Sequence, residues 1–302
     1  MSVPSGIVGP SEGAPPICSV VIPSYRSAAT IRATLLALRQ QDFPGPFEVI
    51  LVDSGDDETA AIATREFPEV QVIHRPSQTE APLARNLGAE RARADVLAFV
   101  DSDCRAAPDW LRRLYETLQQ GYEAAGGVVS NANGETLASW AGYVCEFREF
   151  MPKGVVRDAE DLVECNVIYR RAAFEAAGGF PLGCFPQEGQ LFHQTLRRQG
   201  ARLRLDPTIL VWHTHRSRIG SFLDHQRRIG RTNARILQLL GRPEAVLGRW
   251  RPLAFLAVPA LVPYRFVRTV HACRHVESGL LFRRPALLGL VWLGMWLSLI
   301  HI

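Results

Sequence analysis

No two of the six cysteines stand in C-x-x-C spacing. Cys18, Cys104, Cys145, Cys165, Cys184 and Cys273 are scattered, so no zinc site is encoded by spacing, and they read as reduced, mostly buried thiols of a cytosolic compartment. No G-x-G-x-x-G follows the first apolar run, and no G-x-x-x-x-G-K-[ST] occurs. A Rossmann cradle and a P-loop are thereby excluded. Any phosphate must rely on metal and on side chains such as Arg85. Residues 1–16 lack a basic start and an apolar stretch, so they are not a secretory signal. Rich in Gly, Pro and Ser, they are expected to be a disordered leader. Acids are scarce near the other end: from Arg216 to Arg251 nine arginines meet only Asp224 and Glu244.

What is present is a long alternation. The chain has 302 residues, 47% hydrophobic and 21% charged, with net charge +4, enough for one large α/β domain with an appendage or for two domains. Short apolar runs at 18–22, 47–52, 70–74 and 95–100 read as strands. Between and after them, 29–41, 56–67, 81–92 and 108–120 read as helices. Such alternation predicts an α/β fold with a mostly parallel sheet covered on both faces. Ligands of these sheets bind beyond the C-terminal strand ends. Tyr25, Asp53 and Asp101 each follow a predicted strand and therefore share one rim.

Asp101-Ser102-Asp103 closes the fourth strand. In extended chain, residues i and i+2 point the same way, so both carboxylates can face one point. Two hard oxygen ligands there suit Mg²⁺ or Mn²⁺ carrying a diphosphate. The plainer alternative is a pair of acids that end a strand and cap the next element. For Asp53 the alternative is a helix N-cap, and for Arg85 a solvated helix charge.

The ordered stretches Ser19-Val20-Val21-Ile22-Pro23-Ser24-Tyr25-Arg26, Val49-Ile50-Leu51-Val52-Asp53-Ser54-Gly55-Asp56-Asp57, Arg85-Asn86-Leu87-Gly88-Ala89, Val100-Asp101-Ser102-Asp103, Asn166-Val167-Ile168-Tyr169-Arg170-Arg171 and Ala177-Gly178-Gly179-Phe180 resemble the family 2 glycosyltransferases, which have the GT-A fold. The resemblance covers residues 17–235. It implies that Pro23, Tyr25 and Asp53 line the nucleotide base, with Asp53 accepting from a ring N–H of uracil or guanine. It places Arg85 near the diphosphate, Asp101 near the ribose and metal, and Asp103 on the metal. Asn166 and Arg170 would line the acceptor side. The implied reaction is inverting and metal-dependent, from a UDP- or GDP-linked sugar to a lipid-linked or polysaccharide acceptor.

An inverting transferase needs a carboxylate to deprotonate the acceptor. The family's Glu-Asp pair opening a helix corresponds to Glu188-Gly189, so the acid usually credited as base is a glycine. Glu188 is the candidate base, with His193 as a substitute, and Glu188 as a helix-dipole cap as the structural alternative. If neither serves, the chain is a weak or inactive membrane-attached nucleotide-sugar-binding protein. A nucleotidyltransferase of similar fold would carry a glycine-rich basic loop where Pro23-Ser24-Tyr25-Arg26 stands. In the His213-Thr214-His215 stretch, one histidine would complete the metal shell or both would meet the diphosphate.

Residues 219–240 read as a basic amphipathic helix suited to an anionic membrane surface; no nucleic-acid-binding motif accompanies the charge. Residues 253–262 are too short to span a bilayer and read as interfacial or re-entrant, whereas 285–302 is an apolar run just long enough. The chain stops inside that run, so the expectation is that the protein continues or that its last residues are not native. Arg274, Arg283 and Arg284 put the intervening loop on the cytoplasmic side. The expected organisation is leader 1–16, catalytic domain 17–215, basic helical region 216–251 and membrane-associated segments 252–302, at the cytoplasmic face of a bacterial inner membrane. The alternative for the tail is a packed helical subdomain.

Overall fold

The computed structural model describes residues 6–9, 15–241, 251–276 and 279–299. In chain order the elements are β1 (Gly6–Ile7), β2 (Cys18–Ser24), α1 (Ile31–Arg39), β3 (Pro46–Asp53), α2 (Thr59–Glu66), β4 (Gln71–His74), α3 (Ala81–Arg91), β5 (Val96–Val100), β6 (Cys104–Ala106), α4 (Trp110–Gln119), β7 (Ala124–Asn131), α5 (Leu137–Glu146), β8 (Arg157–Asp158), β9 (Asn166–Arg170), α6 (Arg171–Ala176), α7 (Glu188–Arg198) and β10 (Leu203–His213). Then follow α8 (Ile219–Leu239), α9 (Arg251–Val276), α10 (Leu280–Arg283) and α11 (Ala286–Leu299). Two compact units result. One takes the chain to Val128 with Gly154–Gly183 and Glu188–Trp212; the other takes Val129–Lys153, Cys184–Gln187 and His213 onward. The expected boundary after 215 lies close to the last of these breaks, but Val129–Lys153 and Cys184–Gln187 also fall in the second unit.

The first unit is built on the sheet, ordered β1-β3-β2-β5-β9-β7-β10-β6, with β4 beside β3 and β8 beside β10. Every residue of β2, β3 and β5 is buried. Continuous apolar runs of this kind belong to strands covered on both faces. The pairs β1–β3, β2–β3, β2–β5 and β3–β4 are parallel. The direction then reverses: β9 runs antiparallel to β5, with Val100 opposite Asn166, and antiparallel to β7. The start of β9 therefore lies beside the end of β5. Phe99, Tyr169, Phe174, Phe180 and Phe192 form one aromatic cluster on this part of the sheet.

The leader is not wholly without structure. Gly6 and Ile7 pair with Pro46 and Phe47, Val8 donates its N–H to the Phe47 carbonyl, and Val8 is buried. The apolar side chains of Ile7 and Val8 extend the sheet edge in a way composition alone does not signal. Residues 1–5 and 10–14 lie outside the described residues.

In the second unit α11 packs against α8 and α5, and α9 packs against α11. Leu287, Val291 and Met295, spaced by four, form the buried stripe of α11. Of the apolar positions expected in the α8 region, Phe222, Ile236 and Leu240 are buried and Ile219 is exposed; His225 and Gln226 are buried as well. Of the span expected at 285–302, Ala286–Leu299 form α11, and no helix among the described residues is long and apolar enough to cross a membrane. Residues 253–262 are likewise part of the longer α9, which continues through Pro259 and Pro263. Arg242, Glu244, Arg249 and residues 300–302 lie outside the described residues.

Candidate functional site

The rim of the first unit is assembled by register and by loop contacts. Ser24 pairs with Asp53 across β2 and β3, and Val21 pairs with Phe99 across β2 and β5. This brings Ser24, Asp53 and Asp101 to the same sheet edge. The loop after β2 is tied to the loop after β5: the hydroxyls of Ser27 and Ser102 lie 2.7 Å apart, and Thr34 donates to the Ser102 carbonyl at 3.0 Å. It is tied to the loop after β3 as well. A Cβ at Gly55 would sit 2.6 Å from the Arg26 nitrogen, so this approach requires glycine.

Asp53 is fully buried. Its Oδ2 lies 3.3 Å from His74 Nδ1, while Oδ1 has no hydrogen-bond partner among the described residues. Ser24 Oγ beside it is in the same condition. Buried acceptors are normally satisfied, so an unmet carboxylate oxygen at a strand end is a place for a ligand N–H. Pro23 is buried and Tyr25 exposed, with the Arg26 guanidinium 5.3 Å from the Tyr25 ring centre.

Arg85, on α3, is the hub of the charged part. Only 4% exposed, it donates Nη1–H to Glu188 Oε1 at 2.8 Å and Nη2–H to Asp101 Oδ1 at 2.7 Å. Burial opposes its charge, but Asp101 and Glu188 outweigh that and hold its pKa above the ordinary value. Glu188, at the start of α7, is 2% exposed. Burial pushes its carboxyl up against the pull of Arg85, and its Oε2 has no partner among the described residues.

A divalent cation fits the donor set on this rim. Asp101 and Asp103 are both half-buried carboxylates, open enough to accept a ligand, and hard oxygens are what Mg²⁺ or Mn²⁺ prefers. Arg85 engages one oxygen of Asp101, and the Cys104 thiol lies 3.9 Å from Asp103 Oδ1.

Three expectations require correction. Asn166 does not line an acceptor surface. It is fully buried, accepts from Trp110 Nε1 at 2.9 Å, and donates to the carbonyls of Val128 at 2.8 Å and Ile209 at 3.2 Å. It therefore locks strands together. Arg170 donates to the carbonyls of Tyr122 and Leu118, where it satisfies the end of α4. His193 is fully buried between Asp161, 2.6 Å from Nδ1, and the Tyr169 hydroxyl, 2.6 Å from Nε2. Its ring is out of reach of an acceptor.

His213 and His215 belong to the second unit and are buried there, with ring centres 4.5 Å apart. Asn133 fixes the backbone of His215 from both sides, and the rings of Tyr143 and Phe147 flank its imidazole. Burial, then the charges of its neighbours, lowers the pKa of His215 and keeps it neutral, the form that ligates metals. Neither of its ring nitrogens has a hydrogen-bond partner among the described residues.

The residue that sequence reasoning missed is Glu164. It precedes β9 by two positions, and the reversed direction of β9 brings it to the rim. Its Oε1 lies 1.5 Å from where a Cβ at Gly189 would be. The only local signal is an acid just ahead of an apolar strand.

The sequence model of glycosyl transferase family 2 matches residues 19–178. The chain is 29% identical over 257 residues to the glycosyltransferase AglE of Haloferax volcanii, covering 81% of this chain and 83% of that protein. It is 29% identical over 253 residues to the undecaprenyl-phosphate 4-deoxy-4-formamido-L-arabinose transferase of Pseudomonas syringae pv. syringae, covering 76% and 70%. Among solved structures, S. aureus TarS 1-349 in complex with UDP superposes with a TM-score of 0.54 at 18% identity, covering 94% of this chain and 90% of that one. GalNAc-T7 with UDP, GalNAc and Mn²⁺ gives 0.52 at 15% identity, covering 68% and 45%. These two likenesses support the fold.

Proposed function

This chain belongs to glycosyl transferase family 2, and on that premise we propose that it is an inverting, metal-dependent transferase that moves a sugar from a nucleotide-diphosphate donor to a lipid-linked or polysaccharide acceptor. The observation that carries the donor half is the rim: an unmet acceptor on buried Asp53 lies at the same sheet edge as Asp101 and its Arg85 partner. Asp53 would accept from the base, with Pro23 and Tyr25 beside it. The charge balance supports a cation. Asp101, Glu164 and Glu188 gather about Arg85, with Asp103 two positions beyond Asp101, and a diphosphate brought to them alone would be repelled. Asp101 and Asp103 would hold Mg²⁺ or Mn²⁺, which when bound neutralises the leaving diphosphate.

The acceptor class draws on the Pseudomonas relative, whose name carries undecaprenyl phosphate. A place at the cytoplasmic membrane surface draws on the exposed face of α8, with Arg227, Arg228, Arg231 and Arg235, and on Tyr264 and Val267 of α9, 60% and 66% exposed. Exposed cations and exposed apolar groups on the helices of one unit suit an anionic interface.

Calorimetry with UDP and GDP in the presence of Mn²⁺ tests the reading, with Asp103→Ala as control. Metal-dependent binding by the native chain, weakened in the variant, is expected; no binding of either nucleotide refutes it. Gly189 favours a second reading, a nucleotide-sugar-binding protein without transfer. Binding without turnover over a panel of donors and lipid acceptors would support it.

A further inference from the structure

We propose that Glu164 is the general base of the transfer, its carboxylate filling the hollow that Gly189 leaves at the start of α7. This rests on the transferase reading above and supplies the acceptor half that it lacks.

Topology comes first. Because β9 is antiparallel to β5 and Asn166 faces Val100, the residues before β9 run beside those after β5. Glu164 thus reaches the same edge as Asp101, although 63 positions separate them in sequence. Space comes second. An ideal Cβ at position 189 would stand 1.5 Å from Glu164 Oε1 and 2.4 Å from its Cδ. No residue larger than glycine fits there while Glu164 stays, so the glycine and the glutamate depend on one another. A carboxylate carried by residue 189 and the carboxylate of Glu164 would occupy the same neighbourhood.

Glu188 is less suited to the task. One oxygen is taken by Arg85, and the side chain is 3% exposed. A carboxylate held by a buried guanidinium and closed off from solvent has no open path to an acceptor. Glu188 is better placed as the residue that positions Arg85. Glu164 is partly buried and so less enclosed than Glu188. Its proton affinity supports the same role: burial first, then the charge of Glu188, raises its pKa to well above the usual carboxylate range, against the opposing pull of Arg85 and with a further push from Asp161. A base poised nearer neutral pH is a stronger proton acceptor.

The step balances without another reactant. The acceptor hydroxyl oxygen forms a bond to the anomeric carbon as the bond from that carbon to the diphosphate oxygen breaks. The electron pair leaves with the diphosphate, and the hydroxyl proton passes to a Glu164 oxygen.

The test uses the whole chain with donor, Mn²⁺ and acceptor, and four variants. Glu164→Gln keeps the shape and loses the base; a fall in kcat of ~10²–10⁴-fold is expected, with UDP affinity measured by calorimetry within about twofold of native. The acid limb of the pH–rate profile should vanish with it. Glu164→Ala should be as inactive as Glu164→Gln, and Gly189→Asp alone should be impaired by collision with Glu164. The double variant Glu164→Ala/Gly189→Asp, which moves the carboxylate from one side of the hollow to the other, should recover at least tenfold over Glu164→Ala. Structural support alone does not predict that rescue. Glu164→Gln with kcat within threefold of native, while the native chain transfers sugar, overturns the assignment and leaves the transferase reading standing. Nucleotide binding with no transfer by the native chain overturns both.

Discussion

Replacing Arg85 with alanine should destabilise the first unit, and by an amount that depends on pH. Arg85 holds two carboxylates, but they differ in what they lose. Asp101 keeps 28% of its side-chain surface and can return to water at little cost. Glu188 keeps 3% and cannot. Removing one partner of a buried pair typically costs about 3–5 kcal/mol, because the other charge stays buried. Glu188 sets that figure here. The sign of the pH effect follows from its pKa, already raised in the folded state by burial and raised further once the pull of Arg85 is gone. A carboxyl raised by folding keeps its proton longer in the folded chain than in the unfolded one. Its contribution is therefore full below the ordinary carboxylate range and is lost as pH rises through the raised value, at ~1.4 kcal/mol per pH unit for one proton. Arg85→Ala should be destabilised by about 3–5 kcal/mol at pH 8 and by distinctly less at pH 5. Urea unfolding of both proteins at the two pH values measures this. Equal losses at pH 5 and pH 8, or a variant as stable as the native chain, would refute the view that Arg85 chiefly neutralises a buried Glu188.

Asn166→Ala should cost ~3 kcal/mol, about 1 kcal/mol for each of three hydrogen bonds, with acceptor KM unchanged in the surviving folded fraction; a raised KM at unchanged stability would return Asn166 to the acceptor side. Asp53→Ala should weaken nucleotide binding by ~10-fold or more through loss of a charged acceptor, read by calorimetry, and unchanged affinity would remove Asp53 from the base site. Native protein should sediment with anionic vesicles in a salt-sensitive way, and Arg228→Glu/Arg231→Glu should reduce binding by ~1 kcal/mol or more per residue. Equal sedimentation of the variant would show that α8 is not the contacting face.

The parallel part of the fold is legible in sequence because its strands are buried on both faces and therefore unbroken in hydrophobicity. Residues 18–22, 47–52, 70–74 and 95–100 all fall on β2, β3, β4 and β5, within a residue or two at each end. Residues 124–131 carry two glycines and no alternation. They form β7 because β9 lies alongside to pair with them. The tail is less legible for a related reason. An apolar stretch has the same composition whether its stripe meets lipid or, as for Leu287, Val291 and Met295, other helices of its own unit.

The site divides along the same line. Asp53, Arg85, Asp101 and Asp103 are readable because each is fixed by its own strand end or by the helix packed on it, so local pattern and position in space coincide. The place of Glu164 is not, because strand direction decides it. Under an all-parallel reading the residues before β9 lie at the opposite edge of the sheet, and Glu164 has no reason to be considered. One antiparallel pairing, Val100 with Asn166, moves it across the molecule. The glycine at 189 and the acid at 164 then describe a single feature. The space a side chain at 189 would fill is taken by Glu164 from the neighbouring loop, so on the proposal above the site keeps a carboxylate although its sequence motif is broken. A motif search scores the break as loss of function; packing scores it as a change of donor. The two readings differ over whether Glu164→Ala/Gly189→Asp works better than Glu164→Ala, and only packing predicts that it does.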